Sequence, residues 1–128
     1  MSPRVSPGAW RALLLLFLVL VTWLALVPKP PPVADTGWDK MNHVLAFAAL
    51  GLSAWFGFGQ TRLRAAMALL ALLAYGGLIE VLQAQLPPRS AEWGDLLADA
   101  VGLTAGALLA LVLQMLAARA AGRLNRPR

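Results

Sequence analysis

Four long apolar stretches dominate this chain of 128 residues. A helix needs about 20 apolar residues to cross the hydrocarbon core of a bilayer, and each stretch approaches that length. Prolines at Pro28 and Pro87 close the first and third stretches, because proline cannot continue a helix. The pattern predicts an all-α membrane protein, a four-helix transmembrane bundle that forms a single domain over residues 1–128. The expected spans are about 10–27, 42–58, 65–86 and 94–118.

The composition excludes most soluble classes of protein. Hydrophobic residues make up 59% of the chain and charged residues only 13%, whereas soluble domains carry about 25% charged residues. So short a chain cannot bury that much apolar surface in a globular core. A soluble enzyme and a disordered chain are therefore excluded, and the absence of cysteine excludes a module held by disulfides.

The first span could instead be a cleaved signal peptide, with Arg4 and Arg11 as its basic region. Cleavage requires small residues before the cut. Here Ala25, Leu26 and Val27 run directly into Pro28, which makes a poor site. We therefore expect the first span to remain as a membrane helix.

The distribution of charge predicts the orientation in the membrane. The ends of the chain and the loop between spans two and three carry eight basic and no acidic residues: Arg4, Arg11, Arg62, Arg64, Arg119, Arg123, Arg126 and Arg128. The other two loops and the adjoining helix ends hold Lys29, Lys40 and Arg89, together with every acidic residue: Asp35, Asp39, Glu80, Glu92, Asp95 and Asp99. The positive-inside rule therefore predicts that both termini are cytoplasmic. Because apolar runs separate the basic residues, the net charge of +5 does not indicate nucleic acid as a partner.

Polar side chains recur at the expected outer ends of spans two, three and four. Ionisable groups inside a span are costly and therefore suggest function. At about 1.5 Å rise per residue, Glu80, Asp99 and His43 lie about 5–9 Å below the outer ends of their helices. We expect them to meet in one polar pocket open to the exterior, with Glu92 outside it in a solvated loop. The candidate pocket residues are Asp39, Lys40, His43, Glu80, Gln83, Arg89, Asp95 and Asp99.

Structural explanations compete for several of these residues. Asp39 suits the N-cap of the second helix, and Asp95 suits the positive end of the dipole of the fourth. Lys40 can extend to the lipid headgroups. Glu80 fits none of these explanations, since it lies at the wrong end of its helix for the dipole. It is the strongest candidate for a functional group.

Three glycines are expected to allow close helix packing. Gly102 and Gly106 form a G-x-x-x-G step on the stripe that carries Asp95 and Asp99, and Gly76 can act similarly on the third helix.

The order and spacing of these residues resemble the VanZ-like family of small bacterial membrane proteins over about residues 38–106. The matching elements are Asp39-Lys40-x-x-His43, Ile79-Glu80-x-x-Gln83, Arg89 and Asp95-x-x-x-Asp99-x-x-Gly102-x-x-x-Gly106. One departure is Asp99, where the family usually has Asn. The resemblance implies a multi-pass protein of the bacterial cytoplasmic membrane. It also suggests a link to the cell envelope, since the family takes its name from a protein that raises resistance to teicoplanin.

Three functions remain open from the sequence. The leading one is binding of a lipid headgroup or a cell-wall precursor from the lipid bilayer. An enzyme acting on a lipid-linked substrate is the second, with Glu80 and His43 as acid and base. The sequence offers no cysteine nucleophile, and near the stripe it offers only Ser90. The third is a structural role exerted through a protein partner. We predict no cofactor and no metal ion, because the spacing of the possible ligands His43, Glu80, Asp95 and Asp99 matches no known metal motif. The sequence does not determine the oligomeric state.

Overall fold

The computed structural model describes residues 5–59, 61–87 and 91–124, and these fold into four long helices. Helix α1 covers Pro7–Leu26, α2 covers Asp39–Phe58, α3 covers Arg62–Gln83 and α4 covers Trp93–Leu124. A short 3-10 turn, Pro32–Ala34, lies between α1 and α2. All four helices are long and apolar enough to cross a membrane. The predicted all-α four-helix architecture is confirmed, and the chain is a multi-pass membrane protein.

Local sequence signals explain the starts of α1 and α3. Ser6 Oγ accepts a hydrogen bond from the Ala9 amide at 3.2 Å, and Pro7 occupies the first helical position. Thr61 Oγ1 accepts from the Arg64 amide in the same way, also at 3.2 Å. Each cap satisfies a backbone amide that has no partner within its helix.

Helix α3 ends earlier than the expected exit near residue 86. Its last helical residue is Gln83, and tight turns follow, in which the Leu86 amide donates to Gln83 O at 3.0 Å. The physical reason is the Pro87-Pro88 pair, which disfavours helical backbone in the residue before it. Glu80 therefore lies in the last turn of α3, nearer the helix end than the sequence estimate placed it.

Side-chain contacts show the directions in which the helices run. Arg11 Nε near the start of α1 donates to Gly57 O near the end of α2 at 2.8 Å, so these two helices run antiparallel. His43 Nδ1 lies 2.8 Å from Asp99 Oδ1 near the starts of α2 and α4, and Trp55 Nε1 donates to Gln114 Oε1 at 3.2 Å further along both, so α2 and α4 run in the same direction. The start of α1 and the end of α4 consequently lie at one end of the bundle.

The most extensive contact joins α2 and α4, which are not consecutive in the chain. Glycines permit this close approach. A Cβ on Gly51 would lie 2.7 Å from Leu103 O, and one on Gly102 would lie 2.5 Å from Val44 O. Both distances to backbone atoms are too short for a real side chain, so these positions accept only glycine unless the helices separate.

The buried core follows this pairing. It comprises Leu14, Phe47, Leu50, Ala54, Leu72 and Leu103. Large apolar side chains such as Leu15, Leu70 and Leu108 are exposed on the outward faces of the helices. Lipid tails would cover such surfaces in a bilayer.

Candidate functional site

His43, in the second turn of α2, lies between two carboxylates from different helices. Its Nδ1 is 2.8 Å from Asp99 Oδ1 on α4, and its Nε2 is 3.9 Å from Glu80 Oε1 on α3. The three side chains are almost fully buried, with exposed fractions of 11%, 1% and 9% for His43, Asp99 and Glu80. The three residues that we expected to meet thus share one place in the structure.

Glu80 has one satisfied oxygen and one unsatisfied oxygen. Its Oε2 accepts a hydrogen bond from the Glu92 amide at 3.1 Å, which ties the end of α3 to the residue before α4. Its Oε1 is buried and has no hydrogen-bond partner in the part of the chain that the structure describes. The carboxylate therefore holds the start of α4 with one oxygen and directs the other toward His43.

Lys40 brings a positive charge to the same region. Its Nζ donates to Glu92 Oε2 at 2.8 Å and lies 3.5 Å from Asp95 Oδ1. The hydrogen bond from Lys40 lowers the pKa of the Glu92 carboxyl below its usual range. Glu92 lies in the loop before α4 with an exposed side chain, as expected. It is nevertheless part of the site, because its side chain bonds to Lys40 and its amide donates to Glu80.

The two aspartates of α4 lie on one face of the helix, as their spacing predicts, and both are buried. Asp99 Oδ2 faces Gly76 on α3, where a Cβ would collide with it and would also lie 3.1 Å from the Phe47 ring. A side chain at position 76 would therefore displace the Asp99 carboxylate or the Phe47 ring. Asp39 is exposed in the first turn of α2; Trp38, not Asp39, is the N-cap.

The remaining sequence candidates differ in their placement. Gln83 is buried, but its Nε2 donates to Ala25 O of α1 at 3.0 Å, so its observed hydrogen bond joins α3 to α1. Arg89 and Ser90 lie outside the described residues. Gly106 packs against α2 as expected, since a Cβ there would lie 2.8 Å from Leu52 N.

We call the residues at this end of the bundle the polar cluster: Asp39, Lys40, His43, Glu80, Glu92, Asp95 and Asp99. Five of them are acidic, and two can carry positive charge. Within the described residues, three buried oxygens of the cluster have no hydrogen-bond partner: Glu80 Oε1, Asp95 Oδ1 and Asp99 Oδ2. Buried polar atoms without partners are uncommon in proteins, and each one requires an explanation such as a ligand or a chemical role.

Two kinds of chemistry suit this arrangement. An ionised Asp99 can only accept hydrogen bonds, so a neutral His43 must donate to it from Nδ1. The other ring nitrogen, Nε2, is then a hydrogen-bond acceptor that faces Glu80. Asp39, His43 and Asp95 also offer ligand atoms within 4.8 Å of one another, an arrangement compatible with a divalent cation. Lys40 already places an ammonium group 3.5 Å from Asp95 Oδ1, so a metal ion would have to displace it.

Sequence reasoning missed Glu92 and Gly51. The signal for Glu92 was its position directly before α4, because a residue there can contact the first helical turn, which carries Asp95. Gly51 lies in the middle of span two, where a glycine with no turn nearby indicates close packing.

A family model described as VanZ/LLP1 matches residues 9–114, a region that includes α1 and is wider than residues 38–106. No curated protein and no solved structure matches the chain significantly.

Proposed function

The chain belongs to the VanZ/LLP1 family, and we propose that its polar cluster binds the head of a lipid or another cell-envelope component at the outer face of the bacterial cytoplasmic membrane. The ligand group that fits best is a positively charged donor such as a primary amine. The cluster holds five carboxyl groups against Lys40 and His43, so its acidic groups outnumber its basic ones. An ammonium group would complement the acidic groups and supply several N–H donors.

The observation that carries this proposal is that three buried oxygens, Glu80 Oε1, Asp95 Oδ1 and Asp99 Oδ2, have no hydrogen-bond partner among the described residues. Asp95 Oδ1 has only the longer ion contact with Lys40 Nζ, at 3.5 Å. An unsatisfied buried acceptor costs about 1–3 kcal/mol. A bound ligand that donates to these oxygens would recover that free energy, which would be the source of its affinity.

The outer position of the cluster rests on the charge distribution. All of the acidic residues lie at the end of the bundle opposite Arg11, Arg62, Arg64, Arg119 and Arg123. By the positive-inside rule, the arginines belong in the cytoplasm and the cluster faces outward. A link to teicoplanin resistance or to envelope homeostasis would follow from binding a cell-wall precursor there. Teicoplanin susceptibility of a deletion strain tests that link.

Hydrolysis or transfer on a lipid-linked substrate is a second candidate, and the His43–Asp99 pair favours it. A histidine oriented by a carboxylate on Nδ1, with Nε2 free, has the arrangement of a general base. Glu80, 3.9 Å from Nε2, is placed to exchange a proton with it once the two move closer.

The test of binding is native mass spectrometry of the protein from nanodiscs that contain phosphatidylethanolamine or phosphatidylcholine. We expect the wild type to retain phosphatidylethanolamine, whose headgroup has a primary amine, and the Glu80→Gln and Asp99→Asn variants to retain much less. Asp35→Asn is the matched control, because Asp35 is an exposed acid of the same end that does not belong to the cluster.

Equal retention of the two lipids, or equal retention by the control and cluster variants, would contradict the proposal. Lipid analysis of the same nanodiscs distinguishes the second candidate. A cleaved lipid product that disappears in a folded His43→Ala variant would indicate an enzyme.

A further inference from the structure

A cavity lies toward the opposite end of the bundle from the polar cluster. It has a volume of about 700 Å³ and opens between α1, α2 and α3. Most of its lining is apolar, with Leu14, Met67 and Leu72 along its walls. Two arginines, Arg11 and Arg64, stand at its mouth, and Tyr75 marks its inner end. We call this cavity the arginine groove.

Arg11 is held in place at the mouth of the groove. Its Nε donates to Gly57 O at 2.8 Å, and its guanidinium carbon lies 4.8 Å from the centre of the Phe58 ring. Four of the five N–H donors of a guanidinium are on its Nη atoms. The bond from Nε to Gly57 O therefore uses none of these four donors, and the ring contact fixes the plane in which they lie beside the groove.

In the part of the chain that the structure describes, no acidic side chain is paired with either arginine. Every Asp and Glu of the chain lies at the end that carries the polar cluster. Arg64, in the first turn of α3, is exposed. Two cations without acidic partners, placed beside an apolar groove, match a ligand with an anionic head and an apolar tail.

The length of the groove fits one leaflet of a bilayer. Arg64 and Tyr75 are eleven positions apart on α3, which corresponds to about 16 Å along the helix. The hydrocarbon core is about 30 Å thick, so one leaflet contributes about 15 Å. An acyl chain that starts at the arginines therefore reaches Tyr75 near the middle of the membrane.

We propose that the arginine groove binds one anionic phospholipid from the leaflet at this end of the bundle. The phosphate contacts Arg11 and Arg64, and one acyl chain lies along α3 against Leu72. Arginine is well suited to this head, because its planar N–H donors match phosphate oxygens in pairs. The proposal is independent of the polar cluster, which lies at the other end of the protein.

Native mass spectrometry of the protein in nanodiscs that hold equal amounts of phosphatidylglycerol and phosphatidylcholine tests the groove. The wild type should retain phosphatidylglycerol in preference to phosphatidylcholine. In the Arg11→Gln/Arg64→Gln variant the ratio of the two retained lipids should fall by about tenfold or more, a factor that corresponds to about 1.4 kcal/mol. Arg119→Gln/Arg123→Gln is the matched control, since it removes two arginines of the same end that do not line the groove.

Two further variants keep the test decisive. Arg64→Gln alone changes an exposed residue and leaves the Arg11 bond to Gly57 intact, so it lowers retention without unfolding the protein. Ala71→Phe places a ring in the groove and should lower retention although both arginines remain. Equal losses in the control and groove variants would show that surface charge alone attracts the lipid. Unchanged retention in Ala71→Phe would show that the groove holds no acyl chain. Either result overturns the proposal.

Discussion

Burial, not distance, should decide how strongly the charged pairs of the polar cluster stabilise the protein. The cluster contains two pairs of the same length, His43–Asp99 and Lys40–Glu92, both at 2.8 Å. The side chains of the first pair are 11% and 1% exposed, and those of the second are 41% and 55% exposed. Double-mutant cycles with alanine at each pair measure their coupling free energies directly.

The expected coupling of the buried pair follows from its environment. Interhelical hydrogen bonds in membrane proteins contribute about 0.6 kcal/mol on average and up to about 1.7 kcal/mol. Bonds with an ionised partner are about twice as strong as neutral ones. We therefore expect about 1–2 kcal/mol for His43–Asp99. The Lys40–Glu92 pair should show a smaller coupling that falls further as salt is added, because water screens exposed charges.

Reversible unfolding in a detergent series, followed by circular dichroism, supplies the free energies of the cycles. The His43–Asp99 cycle is repeated in a Glu80→Gln background, because Glu80 Oε1 at 3.9 Å offers the histidine an alternative ionised acceptor. A coupling below about 0.5 kcal/mol for the buried pair, within the usual additivity of independent sites, would refute the reasoning. A coupling of the exposed pair that matched or exceeded the buried one would refute it as well.

Three further outcomes are expected. Gly106→Ala should destabilise the protein by about 1–3 kcal/mol in thermal unfolding, because its Cβ would press on the backbone of α2. The control is Gly122→Ala, whose Cβ would meet nothing within 4 Å, and it should be at least as stable as the wild type. If the two variants lost the same amount of stability, the packing of α2 on α4 would be contradicted. In ¹³C NMR titrations, Lys40→Met should raise the pKa of the Glu92 carboxyl toward its ordinary value, since it removes the hydrogen bond that lowers it; an unchanged pKa would show that the bond is absent in solution. A green fluorescent protein fused after Arg128 should fluoresce, and alkaline phosphatase in the loop between α1 and α2 should be active; the reverse pattern would overturn the orientation.

Several features of the site follow from local sequence. Asp95 and Asp99 share a face because any α-helix brings residues four apart to the same side. Gly102 and Gly106 mark a close contact for the same reason, although the helix that they contact is not evident from their spacing. His43 lies one turn below Asp39 for any α2 that begins near residue 39.

The choice of partners could not be read from the sequence. Glu80 and Gln83 are three residues apart on α3, yet one faces His43 and the other bonds to Ala25 O on α1. Residues three apart point about 60° away from each other around a helix, and a tightly packed bundle can direct them to different neighbours. Glu92 contacts Glu80 through its amide, and backbone groups carry no residue-specific signal. Its side chain reaches Lys40 on α2, a helix that its own sequence neighbourhood does not identify.

The sequence by itself determined the number of helices and their all-α character, because a bilayer accepts a spanning segment only when its backbone hydrogen bonds are satisfied within it, and this requirement is local. Tertiary structure decided that α2 packs most closely on α4, which is distant in the chain, and that His43 lies between Asp99 and Glu80. The approach of backbones at Gly51 and Gly102 brings Asp99 of α4 within reach of the ring, and Gly76 lets α3, which carries Glu80, lie against Asp99 and Phe47. That approach depends on how surfaces from separate helices fit together, which no single helix specifies.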